Sequence, residues 1–114
     1  MKCKLSRVLL VVACMTSGAA FAVEEYSNAG TVARLLSYTS FGNGDIAVVL
    51  SNVTGKTCEG YWFNKADLGF SANLAMLTAA YHAKNTVQLY GETTSRWTGT
   101  GAYFCRLTLV DYRP

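Results

Sequence analysis

Charge and histidine are what this sequence has least of. Charged residues make up 15 % of it, where a soluble domain ordinarily has about a quarter. There is one histidine, His82, and one imidazole with no cysteine cluster around it does not make a metal site. Nucleophilic catalysis needs a Ser, Cys or Thr beside a general base. His82 sits in an alanine-rich helical stretch with no Ser or Asp at a spacing that suggests a triad, so it reads as a surface or interface residue. The carboxylates are equally unpromising: Glu24 and Glu25 lie in a polar lead-in, and Asp45 and Asp67 occupy turn positions. Gly99-Thr100-Gly101 lacks the length and the following helix of a phosphate-binding loop. The expectation is a protein that is not an enzyme, with no catalytic residue, metal or cofactor.

The first 22 residues read as a secretory signal peptide. "MKCKLSR" is basic, "VLLVVACMTSGAA" is apolar, and Ala20-Phe21-Ala22 forms a small-x-small cleavage site before Val23; the run is too short for a membrane span. The rival reading makes "VVAC" a lipobox with Cys14 lipidated. Lys2, Lys4 and Arg7 leave with the signal, so the net charge of +3 belongs to the export segment. Residues 23–114 carry seven basic and seven acidic side chains. The basic ones are scattered rather than clustered along a phosphate-tracking groove, which disfavours nucleic acid.

Cys3 and Cys14 leave too. The remaining pair, Cys58 and Cys105, reads as one disulfide in an exported protein, the alternative being two buried free thiols. Closing a loop of about 48 residues would stabilise the fold by roughly 4 kcal/mol in the chain-entropy model.

Residues 23–114 form one domain with a modest core. "VEEYSNAG" is a polar lead-in, and "TVARLLSY" alternates as a strand does. Asn43-Gly44 marks a turn before "IAVVLS", a strand apolar on both faces. "TCEGYWFN" is a third strand, with Cys58, Gly60 and Trp62 on one side. A helix follows from about Ala72 to Lys84, with Ser71 as N-cap and Asn85 suited to the left-handed residue beyond it. "TVQLYGE" and "YFCRLTLVDY" are strands four and five, separated by the flexible Thr- and Gly-rich "TTSRWTGTGA". Five strands with a helix between the third and fourth is the order of the OB fold, a five-stranded, partly open barrel. A mainly β domain of that class is the expected architecture; a small α+β sandwich is the alternative.

The helix raises a question of its own. Its inward face holds Leu74, Leu77 and Tyr81, but its other face carries Ala72, Ala75, Met76, Ala79 and Ala83 where a surface helix would carry charge. Aromatic residues also recur beside polar loops: Tyr26, Tyr38, Phe41, Tyr61, Tyr90, Trp97 and Tyr103 lie near Asn28, Ser40, Asn43, Glu92, Thr94 and Arg96. Sugars offer an apolar ring face and a rim of hydroxyls, which Tyr and Trp match.

Four features together resemble the B subunits of AB5 toxins, in the subtilase-cytotoxin, typhoid-toxin and pertussis-like group. They are an exported chain of this size, the strand and helix order, the lead-in "YSNAGTVARL", and the passage "LTAAYHAKNTVQLY" followed by "RWT". The resemblance implies glycan binding. Members often carry a Tyr-Ser pair before strand one whose Ser helps hold a sialic-acid carboxylate, which corresponds to Tyr26 and Ser27. The region after strand four also contributes, near Tyr90, with Arg96 and Trp97 as secondary candidates. It further implies a homopentamer with the helices around a central pore, Ala72, Met76, Ala79 and Ala83 forming a heterologous contact, and a toxic A subunit as partner. The rival from another class is a periplasmic or secreted OB-fold protein with a structural or protein-binding role and no glycan ligand; an inhibitor-type protein is a third reading.

Overall fold

The computed structural model describes residues 23–114; the expected export segment, with Cys3 and Cys14, lies outside the described residues. Six strands and one helix follow in the order β1 (Glu24–Tyr26), β2 (Val32–Ser37), β3 (Ile46–Leu50), β4 (Gly60–Phe63), α1 (Phe70–Ala83), β5 (Val87–Glu92) and β6 (Phe104–Tyr112). They form one mixed sheet in the order β1-β5-β6-β4-β3-β2. The chain is mainly β, and the sheet is not closed.

Five strands were expected and six are found. The added strand, β1, lies in the polar lead-in, and it is only three residues long. Its pairing with β5, Tyr26 opposite Tyr90, depends on residues far along the chain rather than on its own side-chain pattern. Beyond it, Gly30 and Val87 form an isolated antiparallel bridge, with N–H···O distances of 3.0 and 2.8 Å in the two directions. This bridge ties the entry of β2 to the start of β5.

The sheet is two antiparallel three-stranded halves, β1-β5-β6 and β4-β3-β2, joined by one parallel ladder. That ladder has only three residue pairs, Gly60–Phe104, Tyr61–Cys105 and Trp62–Arg106. The Cys58–Cys105 disulfide crosses the same seam, with its Cα atoms 5.5 Å apart, and the Glu59 N–H donates to the Tyr103 carbonyl at 2.8 Å. On the far side of Trp62, Arg106 donates to Asp67 from Nε (3.0 Å) and Nη2 (2.7 Å) while its guanidinium lies 4.8 Å from the Trp62 ring centroid.

Two apolar clusters flank the sheet. The larger contains Ile46, Val48, Tyr61, Phe63, Leu89 and Leu107 and is capped by Leu77 and Ala80 of the helix. The smaller, on the other side, contains Ala47, Trp97 and Phe104, with Leu36, Val49 and Trp62 packed against it. Placing Cys58 on the face of Trp62 is therefore incorrect: Cys58 joins the cluster of Tyr61 and Phe63. The period-2 alternation does not extend back to Cys58, because β4 begins only at Gly60.

The helix starts and stops differently from the sequence expectation. Gly69, not Ser71, is the N-cap, with no side-chain cap bond. The approach is held instead by Asn64 and Asp67: the Asn64 N–H donates to Asp67 Oδ2 (3.0 Å) and the Ala66 N–H to Asn64 Oδ1 (3.0 Å). Lys84, not Asn85, takes the left-handed conformation at φ 54°, and the N–H groups of both residues reach the Ala80 carbonyl, a closing pattern that satisfies otherwise orphan groups. Tyr81, expected inward, is exposed.

Because the disulfide spans the short parallel ladder, its loss should be felt across the whole sheet. A Cys58→Ala/Cys105→Ala double variant should lose up to about 4 kcal/mol, read as a fall in the urea midpoint relative to the oxidised protein. An unchanged midpoint would show that the ladder and the packing around Tyr61 hold the seam unaided.

Candidate functional site

The residues expected to form one glycan site fall into two places. Tyr26 and Tyr90 face each other across β1 and β5, with ring centroids 6.0 Å apart and planes inclined at 45°. Direct cross-strand partners put their side chains on the same face, and Leu109 of β6, opposite Tyr90, extends that face by a third strand. Tyr26 is 56 % exposed and Leu109 43 %. Lys56 completes the group, its Nζ 4.4 Å from the Tyr26 ring centroid. The surface thus offers two phenol rings, an aliphatic side chain and one cation. Lys56 and Leu109 were not singled out in the sequence; the turn "NVTGK" gives no sign that its lysine returns to a tyrosine thirty residues earlier in the chain.

Ser27 lies beneath this surface rather than on it. It is 2 % exposed, and its hydroxyl is committed in both directions. Oγ accepts from the Leu89 N–H at 2.9 Å and donates to the Asn28 carbonyl at 2.8 Å. The Ser27 N–H donates to the Leu89 carbonyl at 2.7 Å, and Gln88 Nε2 donates to the Ser27 carbonyl at 2.9 Å. As placed, Ser27 anchors the chain after β1 to β5, which fixes Tyr26 against Tyr90.

Glu25 anchors the same strand from the other direction. Its carboxylate accepts from the N–H groups of Cys58 (3.0 Å) and Thr57 (3.2 Å). Burial alone would raise its pKa, but those two donors and the nearby Lys56 charge outweigh it and hold the carboxyl below its ordinary 4.5. Behind it lies Tyr61, fully buried, whose hydroxyl has no hydrogen-bond partner among the described residues. Burial pushes this phenol up to about 12, with the Glu25 carboxylate adding to the effect and the Ser27 hydroxyl opposing it. Tyr61 fits there because Gly91 has no Cβ; one built at that position would come within 2.7 Å of the ring.

Arg96 and Trp97 are elsewhere. The β5–β6 loop was expected to be flexible, yet Trp97 is 4 % exposed, stacks on Phe104 with centroids 5.6 Å apart, and donates from Nε1 to Asp45 Oδ2 at 2.9 Å. Trp62 Nε1 donates to the Ser95 carbonyl at 2.8 Å. Trp97 is thus a packing residue of the smaller cluster, while Arg96 is exposed. Neither belongs to the Tyr26–Tyr90 surface.

On the helix, Ala72, Ala79 and Ala83 are exposed as expected. Met76 is not on that outer face: it is half-buried and packs against the main core, because its turn of the helix lies over β6, where the Tyr112 hydroxyl donates to the Met76 carbonyl at 2.6 Å. The open face of Ala72, Ala75, Thr78, Ala79 and Ala83 also carries the exposed His82, and the helix has no Asp, Glu, Lys or Arg. Among the described residues no cluster of His, Cys, Asp or Glu is placed to hold a metal ion, and no helix is long and apolar enough to cross a membrane.

No protein-family model matches this chain, and no curated protein matches its sequence.

Glu25 supplies a direct test of how β1 is held. Its folded-state pKa is depressed, so its contribution is present above the unfolded value and is lost as pH falls through the folded one. Glu25→Gln should therefore be less stable than wild type at neutral pH, by up to about 1 kcal/mol once solvent screening of this half-exposed carboxylate is counted. The gap should narrow below the ordinary carboxyl value of 4.5. Denaturant melts of both proteins across that range check it; a constant gap at all pH would mean that the carboxylate's charge contributes nothing.

Proposed function

We propose that the chain is an exported, non-enzymatic binding subunit that recognises cell-surface glycans through the Tyr26–Tyr90 surface and works as a homopentameric ring. The observation that carries this reading is the cross-strand pair of exposed Tyr26 and half-buried Tyr90, with Lys56 against Tyr26. Two phenol rings match the apolar face of a sugar and its hydroxyls, and a neighbouring ammonium favours an acidic sugar such as sialic acid. Within this reading Ser27 is a positioning residue for Tyr26, since its hydroxyl is already satisfied inside the chain.

The strand order supports the OB class. Setting β1 aside, the order β2-β3-β4-β6-β5 with a parallel β4–β6 pair and the Gly30–Val87 bridge supports a reading as a five-stranded, partly open Greek-key barrel. Fold does not carry function, so the glycan reading rests on the tyrosines. The ring rests on the uncharged helix face and its small side chains, and it would raise avidity by presenting weak sites together. A toxic A subunit would dock on such a ring.

A second reading, a secreted or periplasmic protein that binds another protein and no glycan, is favoured by the full exposure of Leu68 at the helix approach. Contiguous apolar patches rather than single side chains mark contact surfaces, so in this reading Leu68 would act together with the alanine-rich helix face.

Two measurements separate these readings. On an array of neutral and sialylated glycans, Tyr26→Ala and Tyr90→Ala should each lower binding about tenfold or more while the far-UV spectrum stays unchanged; equal binding by both variants would remove the site. Light scattering on the processed protein should give the mass of five protomers, and Ala79→Glu should shift it toward one. A wild-type monomer would eliminate the ring.

A further inference from the structure

We propose that the cleft between the β2–β3 connection and the β5–β6 loop is a second ligand site, built for one neutral sugar ring of the hexose class. The cleft measures about 240 Å³ and is lined by Asn43, Asp45, Trp62, Asn64, Arg96 and Thr98. That is below the volume range of pockets for drug-sized ligands and suits a single ring. It shares no residue with the Tyr26–Tyr90–Lys56 surface. Those tyrosines lie on β1 and β5, at one end of the sheet order, whereas Asn43 and Asp45 precede β3 near the other. The inference therefore stands without the reading given above.

Asp45 is the centre of the argument. It is 4 % exposed and its hydrogen-bond donors are all uncharged. Trp97 Nε1 donates to Oδ2 (2.9 Å), and Asn64 Nδ2 (3.0 Å) and the Asn43 N–H (3.3 Å) donate to Oδ1. The ion pairs among the described residues are Arg106–Asp67 and Arg113–Asp111, so no cation is in direct contact with it. A buried carboxylate without a counter-ion is costly, and with about four acceptor sites it has room for one further donor. It lines a cleft, where a ligand hydroxyl supplies that donor.

The opposite wall supplies the complementary groups. Arg96 lies with its guanidinium 5.1 Å from the Tyr103 ring centroid and donates hydrogen bonds only from Nη2, to the Gly101 carbonyl at 2.6 Å and more weakly to that of Ala102 at 3.5 Å. Its Nε and Nη1, the Asn43 side-chain amide and the Thr98 hydroxyl have no partner among the described residues. Asp45 accepts from hydroxyls, Arg96 and Asn43 donate to them, and the half-buried Trp62, whose ring also carries Arg106, adds apolar atoms to the lining. One carboxylate and one guanidinium balance each other, so the cleft favours a neutral polyhydroxyl ligand over an ion. The Asp45–Trp97 bond joins segments 52 residues apart, which sets the two walls before a ligand arrives and lowers the ordering cost of binding.

The experiment is a titration of the disulfide-bonded protein with methyl glucoside, methyl galactoside, methyl mannoside and N-acetylglucosamine, followed by ¹H–¹⁵N NMR. At least one sugar should saturably shift the Trp62 and Trp97 indole N–H and Asn64 amide signals, in the millimolar range expected of a single ring. Arg96→Ala and Asn43→Ala remove exposed side chains and should each weaken that sugar about tenfold, with the remaining spectrum unchanged. Tyr26→Ala and Tyr90→Ala should leave the affinity as it is. The proposal is overturned if no sugar moves these signals, or if both cleft variants bind as wild type does. Shifts confined to the Tyr26–Tyr90 surface also overturn it, while leaving that surface's own role standing. Should Arg96→Ala disturb the loop, Asn43→Ala with Thr98→Val decides the same question.

Discussion

The arrangement depends on the contact between β4 and β6. Each half of the sheet is an antiparallel assembly, and besides the isolated Gly30–Val87 bridge only three residue pairs of parallel ladder join them. Parallel pairing is the weaker kind per residue, and here it is short. The chain compensates at that point with a covalent cross-link, a buried tyrosine packed on a glycine, and the Arg106–Asp67 pair beside Trp62. The helix adds a lid over both halves, with Leu77 and Ala80 in the shared core.

The same seam organises the two candidate sites. Glu25 accepts from Cys58 and Thr57, so the placement of β1, and with it Tyr26, is referred to the disulfide segment. Trp62 and Asn64, on the other side, follow directly from β4 and carry the floor of the Asp45 cleft. Each site is therefore made of short, exposed pieces whose positions are set by a few buried polar bonds. Glu25 and Ser27 do this for the first, and Asp45 does it for the second.

How much of this could be read from the residues themselves varies with the range of the interactions involved. Five strands, the helix and the Cys58–Cys105 pair were legible, because alternation, apolar runs and cysteine counting are local or arithmetic signals. β1 was not, since a three-residue polar strand is defined only by its partner. The helix ends were displaced because Asn64 and Asp67 hold the approach from outside the helix, so a Ser cap is dispensable. Trp97 read as a ligand-facing aromatic in a Gly-rich loop; a buried acceptor 52 residues away, Asp45, turned it inward. The tyrosine pair was named residue by residue, but its lysine arrives from a distant turn.

β1 has a consequence for how the chain completes itself. It is the first strand to be synthesised and stands at the end of the sheet, on a strand made much later; the Ser27–Leu89 bond that secures it closes a separation of 62 residues. Contacts of that range are slow to form because the intervening loop must be closed first. The segment has no native strand partner among the described residues until β5 is available, while β2 to β4 can already pair. Its low hydrophobicity, which hid it from pattern reading, is also what makes such a wait harmless: a waiting strand with an apolar face would invite pairing with other chains. The edge of the sheet that carries Tyr26 is thus completed only once β5 is available.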